Sequence, residues 1–411
     1  MKETMEINES SDKMLAWRLT WYSRAILAAL MIAFVIVLIM GSGSRTLTGR
    51  IGADYPAFYS AGQIVAAGEA RDLYSAQKQH GYQKALLGDE SGLLPFAYPP
   101  FVALAYAPLS QLPFRLSYAI HTLLMIAALG LACRLMQRIY PEVLHSWYFC
   151  VFFALTYYPM FRAVFGGQNT SLSLLLIVLC WHRVIRARHL EAGLYLGLLM
   201  FKPQFAVPLA GLFLFSGRRR VCLGAIVTTI ALYGVGALVS GPCWPQVWFD
   251  AARGFAALDA SANSANAISW LGFAEAVLGP GNPAALTLGW SLIALTILVI
   301  SGIWWIGGRR ADFGAQLALA SVCLVLISPH AMFYDMGLSL VAFAVLLGRP
   351  ARTRPRTAVG LWAMGLVQVP SPLVGFSVGL FAQILTLSFA LVRLGRPAMG
   401  VESEKTIPPQ S

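Results

Sequence analysis

Six residues carry side chains that can do chemistry and lie beside long apolar runs: Asp54, Gln168, Asn169, Lys202, His330 and Asp335. Asp54, in Gly52-Ala53-Asp54-Tyr55-Pro56, can act as a general base or as the N-cap of a helix that starts near Pro56. Lys202 interrupts the apolar stretch 198–212. It can contact an anion or snorkel to an interface, and the adjacent Pro203 favours a buried turn. His330 stands in Ser328-Pro329-His330 and is either structural or catalytic. Asp335, five residues on, is either an N-cap or the group that orients His330. Gly166-Gly167-Gln168-Asn169 reads as a tight turn with a polar cap, or as a turn whose amides bind a polyhydroxylated ligand while its glycines let backbone approach closely. Two ligands do not make a metal site, and no metal-binding spacing is present.

The elements that must position these residues follow from the composition. The chain has 411 residues, of which 58% are hydrophobic and 12% charged. Its mean hydropathy is +0.66. Soluble domains carry about 25% charged residues, so this chain cannot cover a water-facing surface of its size. The class is an all-α polytopic membrane protein. Six cysteines, five of them in or beside apolar runs, form no CxxC pattern and no disulfide framework. Walker A, HExxH, GxSxG with its partners, the kinase set and a potassium-channel filter are all absent, which excludes those classes.

Twelve apolar runs are expected as membrane helices: 25–41, 116–136, 145–165, 169–182, 190–201, 203–216, 221–240, 284–306, 313–328, 335–348, 357–370 and 373–392. Several are shorter than the usual ~20 residues, as happens where a helix is shielded by protein or lines a cavity. The first is read as an uncleaved helix rather than a signal peptide. The net charge of +12 suits orientation better than nucleic acid, because the basic residues cluster in alternate loops. Examples are Arg183, Arg186 and Arg188, then Arg218, Arg219 and Arg220. These loops are assigned to the cytoplasm together with both termini. The long loops 43–115 and 241–283 then lie outside, with all six candidate residues at the outer ends. Within the first outer loop, 56–68 and 73–87 are expected as short helices, the second amphipathic and suited to the membrane surface. Trp244, Trp248 and Trp270 in the second loop are expected at the lipid headgroups.

Six segments in order resemble the GT-C membrane glycosyltransferases, and among them glycosyltransferase family 87. They are Gly52–Tyr59, Ala67–Tyr74, Phe96–Phe101, Gly167-Gln168-Asn169, Gly197–Gln204, and Ser328–His330 with Tyr334-Asp335. The resemblance implies one GT-C-like domain over 24–396 with about twelve helices, flanked by cytoplasmic tails at 1–23 and 397–411. It implies a polyprenyl-phosphate sugar, mannosyl by analogy, as donor, and a glycolipid or glycan hydroxyl as acceptor. Lipid is the other partner, nucleic acid is not one, and no cofactor is needed beyond the donor. Location is the bacterial inner membrane with a periplasmic or extracytoplasmic site. Asp54 is implied as the base of an inverting transfer. Lys202, His330, Gln168, Asn169, Asp335 and Tyr98 are assigned to substrate binding. GT-C loops often show a DxD-like acidic pair, whereas Asp54 is followed by Tyr55-Pro56, so no metal ligand is named.

Two other classes fit a many-helix chain with a polar cavity. A flippase for lipid-linked sugars needs polar groups accessible from both faces. A non-catalytic scaffold subunit tolerates loss of the outer polar residues.

Overall fold

Long, largely apolar stretches make the longest helices of this chain. The computed structural model describes residues 21–22, 24–36, 52–87, 93–141, 147–348 and 354–394. Nearly all of the tail expected at 1–23, and the whole of that at 397–411, lie outside the described residues. Among the described residues the structure is helical, with one isolated bridge between Ala267 and Met332.

In chain order the first helices are α1 (Arg24–Ile36), α2 (Tyr55–Ala66), α3 (Ala76–Leu87), α4 (Pro100–Tyr106), α5 (Phe114–Ile139), α6 (Trp147–Thr156), α7 (Tyr158–Phe165) and α8 (Thr170–Val184). Then come α9 (His189–Leu198), α10 (Pro203–Phe215), α11 (Arg219–Ser240), α12 (Trp244–Ala262), α13 (Trp270–Leu278) and α14 (Pro283–Gly307). The last are α15 (Phe313–Ile327), α16 (Leu340–Gly348), α17 (Arg354–Leu366), α18 (Ser371–Val374) and α19 (Gly379–Leu394). Among the described residues three helices, α5, α11 and α14, are long and apolar enough to cross a membrane. The count is four if the bent pair α7 and α8 is one span. Shorter apolar helices account for most of the other expected runs.

The packing separates an outer wall from a centre. α11 and α14 leave most of their apolar surface uncovered, with Leu238 91% and Leu298 70% exposed. A surface of that kind suits hydrocarbon, not water. By contrast every residue of α15 except Ala315 is buried, as expected of a helix that is apolar all round. It packs against α10, α14, α16 and α19. α9 crosses α11 so closely that a Cβ on Gly193 would stand 2.1 Å from the Val221 carbonyl, a contact only small residues permit.

Two expectations need correction. The run 145–165 is not one helix: it breaks after Thr156, where Tyr157 is extended and Pro159 sits in the first turn of α7. Proline fits there because a first-turn N–H has no partner inside the helix. α7 then meets α8 at 114° across Gly166–Asn169. In the loop expected outside, helices stand at Tyr55–Ala66 and Ala76–Leu87, but the apolar residues before and within the second turn inward. Leu73 and Tyr74 are in the core, and Tyr82 and Leu86 pack against it. Gln79 and Gln83 are buried too. Their amides hold the backbone of Leu94 and Phe96 through bonds of 2.7–2.9 Å, which fixes the extended segment leading to Tyr98. The tryptophans of the second loop also make internal contacts. Trp244 is buried against Phe101, Trp248 donates its indole N–H to the Ala97 carbonyl at 3.0 Å, and Trp270 donates to the Thr296 hydroxyl at 2.9 Å.

Candidate active site

The site is organised by the bend between α7 and α8. Gly167 has φ +74, and a Cβ there would lie 2.6 Å from both the Gly52 carbonyl and the Tyr55 Cβ. Only glycine lets the bend press against the start of α2. The Asp54 N–H donates to the Gly166 carbonyl at 3.1 Å, and Ala53 is held at φ +43, a left-handed value uncommon for a non-glycine residue. The close approach of the paired glycines is therefore to the Asp54 loop.

Asp54 occupies the N-cap position of α2, yet its carboxylate makes no capping bond. Instead Asp54 Oδ2 accepts from Gln168 Nε2 at 2.6 Å. The next residue, Asn169, lies within hydrogen-bond reach of the Tyr98 hydroxyl. Burial pushes that hydroxyl far above the ordinary tyrosine range, and the charges of Asp335 and then Asp54 add to the rise. Tyr98 is thus close enough to feel both carboxylates. The third residue, Thr170, donates its hydroxyl to Asp335 Oδ1 at 3.2 Å. Three consecutive side chains at the start of α8 thus reach three separate segments.

Asp335 and Lys202 form a buried ion pair of 2.9 Å, with side chains 4% and 3% exposed. Asp335 Oδ2 also accepts the Met332 N–H at 3.4 Å, inside the turn that opens the short 3₁₀ helix Phe333–Ser339. Lys202 sits between the 3₁₀ turn Leu199–Phe201 and α10, where Pro203 supplies the first residue of the new helix. It is a buried turn lysine and does not snorkel. The rings of Phe205 and Tyr334 lie 5.6 and 6.0 Å from its ammonium.

His330 differs from the rest of this cluster in burial. It is exposed at the turn after α15, and the carboxylate expected to orient it is engaged with Lys202, Thr170 and Met332. The structure adds Thr170 and Arg162, which sequence reasoning passed over. Arg162 lies one helical turn before Gly166 and within electrostatic reach of Tyr118, which packs against Gly52. Its Nε is buried and has no hydrogen-bond partner among the described residues. The buried amide oxygens of Gln168 and Asn169 are in the same condition. A buried cation N–H and two buried carbonyl oxygens without partners are groups that a polar ligand would satisfy. Arg162 was findable as the basic residue at the outer end of an expected helix, away from the basic loops.

Among the described residues no three His, Cys, Asp or Glu side chains converge to hold a metal ion. Fold and site together define a helical membrane protein with a buried polar cluster built around a carboxylate, an amide turn and an ion pair. A model of glycosyltransferase family 87 matches residues 96–329, and the chain belongs to that family. The matched stretch holds Tyr98, Arg162, Gln168, Asn169, Thr170 and Lys202, while Asp54, His330 and Asp335 lie outside it. The chain is 26% identical over 288 residues to the polyprenol-phosphate-mannose-dependent alpha-(1-2)-phosphatidylinositol pentamannoside mannosyltransferase of Mycobacterium tuberculosis (strain CDC 1551 / Oshkosh). That alignment covers 67% of this chain and 64% of the relative. The protein of the same description from Mycolicibacterium smegmatis (strain ATCC 700084 / mc(2)155) is 29% identical over 245 residues, 57% of this chain and 56% of that one. The chain therefore spans less than two thirds of the length of either relative. No solved structure matches.

Proposed function

We propose that this protein is a polytopic membrane glycosyltransferase of about twelve spans. It moves a hexosyl group, mannosyl by the names of its relatives, from a polyprenyl-phosphate donor to a hydroxyl of a glycolipid acceptor. The reaction takes place on the extracytoplasmic face, with both termini in the cytoplasm. The observation that carries this reading is the orientation of Asp54. Its carboxylate leaves its own helix uncapped and is held by Gln168 at 2.6 Å, beside Tyr98 and the buried pair.

Asp54 takes the proton from the acceptor hydroxyl as that oxygen bonds to C1 of the sugar. The bond from C1 to the phosphate oxygen breaks with its electron pair on the phosphate, so the anomeric centre inverts. A polyprenyl phosphate leaves readily, so one base suffices. The developing phosphate charge is met by Arg162 and by the Lys202 ammonium, which has N–H donors left after its bond to Asp335. Asn169, Gln168 and Tyr98 bind sugar hydroxyls, and the buried amide oxygens without partners support that role. His330 has a place only at the rim.

The test is purified protein in nanodiscs with labelled polyprenyl-phosphate mannose and a phosphatidylinositol mannoside acceptor. Transfer should occur without a gradient and give an inverted product, and Asp54→Asn should reduce it about 10²–10⁴-fold. Undiminished transfer by Asp54→Asn would remove Asp54 as the base.

A further inference from the structure

Outside the cluster, a surface hollow lies along α3. It is a cleft of about 720 Å³ lined by Asp72, Ser75, Gln77, Lys78, Gly81 and Tyr82, with Ala85 at its end. Its helical members recur every four residues, 77, 81, 85 and 78, 82, so they form one stripe. The neighbouring stripe is Gln79 and Gln83, which holds the segment running into Tyr98. One helix thus forms the cleft and braces a residue of the candidate active site. Tyr74 ties the two together further, donating its hydroxyl to the Tyr98 carbonyl at 2.8 Å.

The chemistry of the cleft selects the ligand. Lys78 is 2.8 Å from Glu69, and the Tyr82 hydroxyl donates to the other Glu69 oxygen at 2.9 Å, so the cation is already paired. Hydrogen bonds from Lys78 and then Tyr82 hold the Glu69 carboxyl below the usual carboxylate range. The lining carries one carboxylate, Asp72, and one ammonium that is already held by Glu69, so it offers an anionic ligand no unpaired cation. What is left suits a neutral polyhydroxylated ligand: an anchored aromatic ring, Ser75 and Gln77 as donors and acceptors, and Gly81, beside which a Cβ would meet open space. The volume falls within the roughly 300–1,000 Å³ range of small-ligand sites.

We propose that this cleft binds the neutral sugar arm of the acceptor, apart from the hydroxyl that reacts. This rests on the glycosyltransferase reading above for the identity of the acceptor, but the binding itself can be measured without turnover. The full chain in nanodiscs is titrated with free mannotriose and, separately, with the same trisaccharide carried on a lipid in the disc, using saturation-transfer NMR. Binding should be present in the wild type and in Asp54→Asn. Gly81→Leu fills the cleft from a helical position with no neighbour to displace, and should weaken binding about tenfold, the equivalent of one aromatic contact. Tyr82→Ala should do the same. Weakening of both forms assigns the cleft to the sugar in either setting, and weakening of the lipid-borne form alone makes it a glycolipid subsite. No binding by the wild type, or equal binding by Gly81→Leu, overturns the proposal. Retained sugar binding with no transfer from any polyprenyl-phosphate sugar would remove the enzymatic reading and leave the cleft standing.

Discussion

Replacing Lys202 tests whether the ion pair is a closed buried unit. Lys202 and Asp335 meet at 2.9 Å with side chains 3% and 4% exposed, so solvent screens neither. Removing one partner from such a pair costs about 3–5 kcal/mol, because the other charge is left buried. Replacing both with apolar residues of similar volume is often near neutral. The two single changes should differ. After Lys202→Met, Asp335 keeps the Thr170 hydroxyl and the Met332 N–H. After Asp335→Leu, the ammonium is left with the faces of Phe205 and Tyr334, contacts of about 0.5–2 kcal/mol. Lys202→Met should therefore fall near the lower end of the range and Asp335→Leu near the upper. The double variant should recover most of the loss, giving a coupling of several kcal/mol. The assay is unfolding of the purified protein in detergent, followed by tryptophan fluorescence. The recovered double variant should be folded yet inactive, because Lys202 is assigned to the donor phosphate. If each single change cost under about 1 kcal/mol, as exposed pairs do, or if the costs simply added, the buried-pair reasoning would fail.

Gln168→Leu removes the 2.6 Å donor to Asp54, a bond to a charged group worth roughly 1.5–3 kcal/mol, so kcat should fall about ten- to hundredfold in initial-rate measurements. Gly167→Ala places a Cβ 2.6 Å from the Gly52 carbonyl at φ +74 and should cost about 1–3 kcal/mol and turnover with it. Gly234→Ala in α11, where a Cβ has open space, should instead gain about 0.5–1 kcal/mol, and the two melting curves read together separate backbone strain from a general effect of side-chain addition. Arg162→Gln should raise the donor KM about tenfold or more with little change in melting, since the loss of a charge-assisted contact amounts to roughly 1.5–3 kcal/mol.

The sequence displayed the rare polar residues of an apolar chain but not their pairings. Asp54, Gln168, Asn169, Lys202, His330 and Asp335 were conspicuous because polar and charged groups are costly near lipid. Their partners depend on how separate helices pack, which spacing does not encode. Asp335 lies five residues from His330 and 133 from Lys202, yet it pairs with the lysine. Thr170 escaped notice because a hydroxyl on an apolar helix gives no signal, whereas the one signal of Arg162 was its place at a helix end away from the basic loops. The amphipathic pattern over 73–87 was real, but periodicity does not say whether an apolar face meets lipid or protein. The long helices α5, α11 and α14 were legible to within a few residues, since length and hydropathy suffice for them. The break at Tyr157 was marked by Pro159 inside a run otherwise apolar enough to read as one helix.

The cluster also explains how so apolar a fold keeps its charges. Asp335 is balanced by Lys202 in the buried pair. The balance is uneven in space. Lys202 and Asp335 are locked together, whereas Asp54 is held by a neutral amide and Arg162 keeps a buried N–H without a partner. The locked pair fixes the start of α8 through Thr170, and that same turn aims Gln168 at Asp54 and brings Asn169 to Tyr98. In the proposed reaction, a base and a cation already held in place by their surroundings would need little reorganisation when a hydroxyl and a phosphate enter. That is the preorganisation on which electrostatic catalysis depends. The closed ion pair and the held carboxylate of Asp54 are thus parts of a single arrangement, joined by three consecutive side chains.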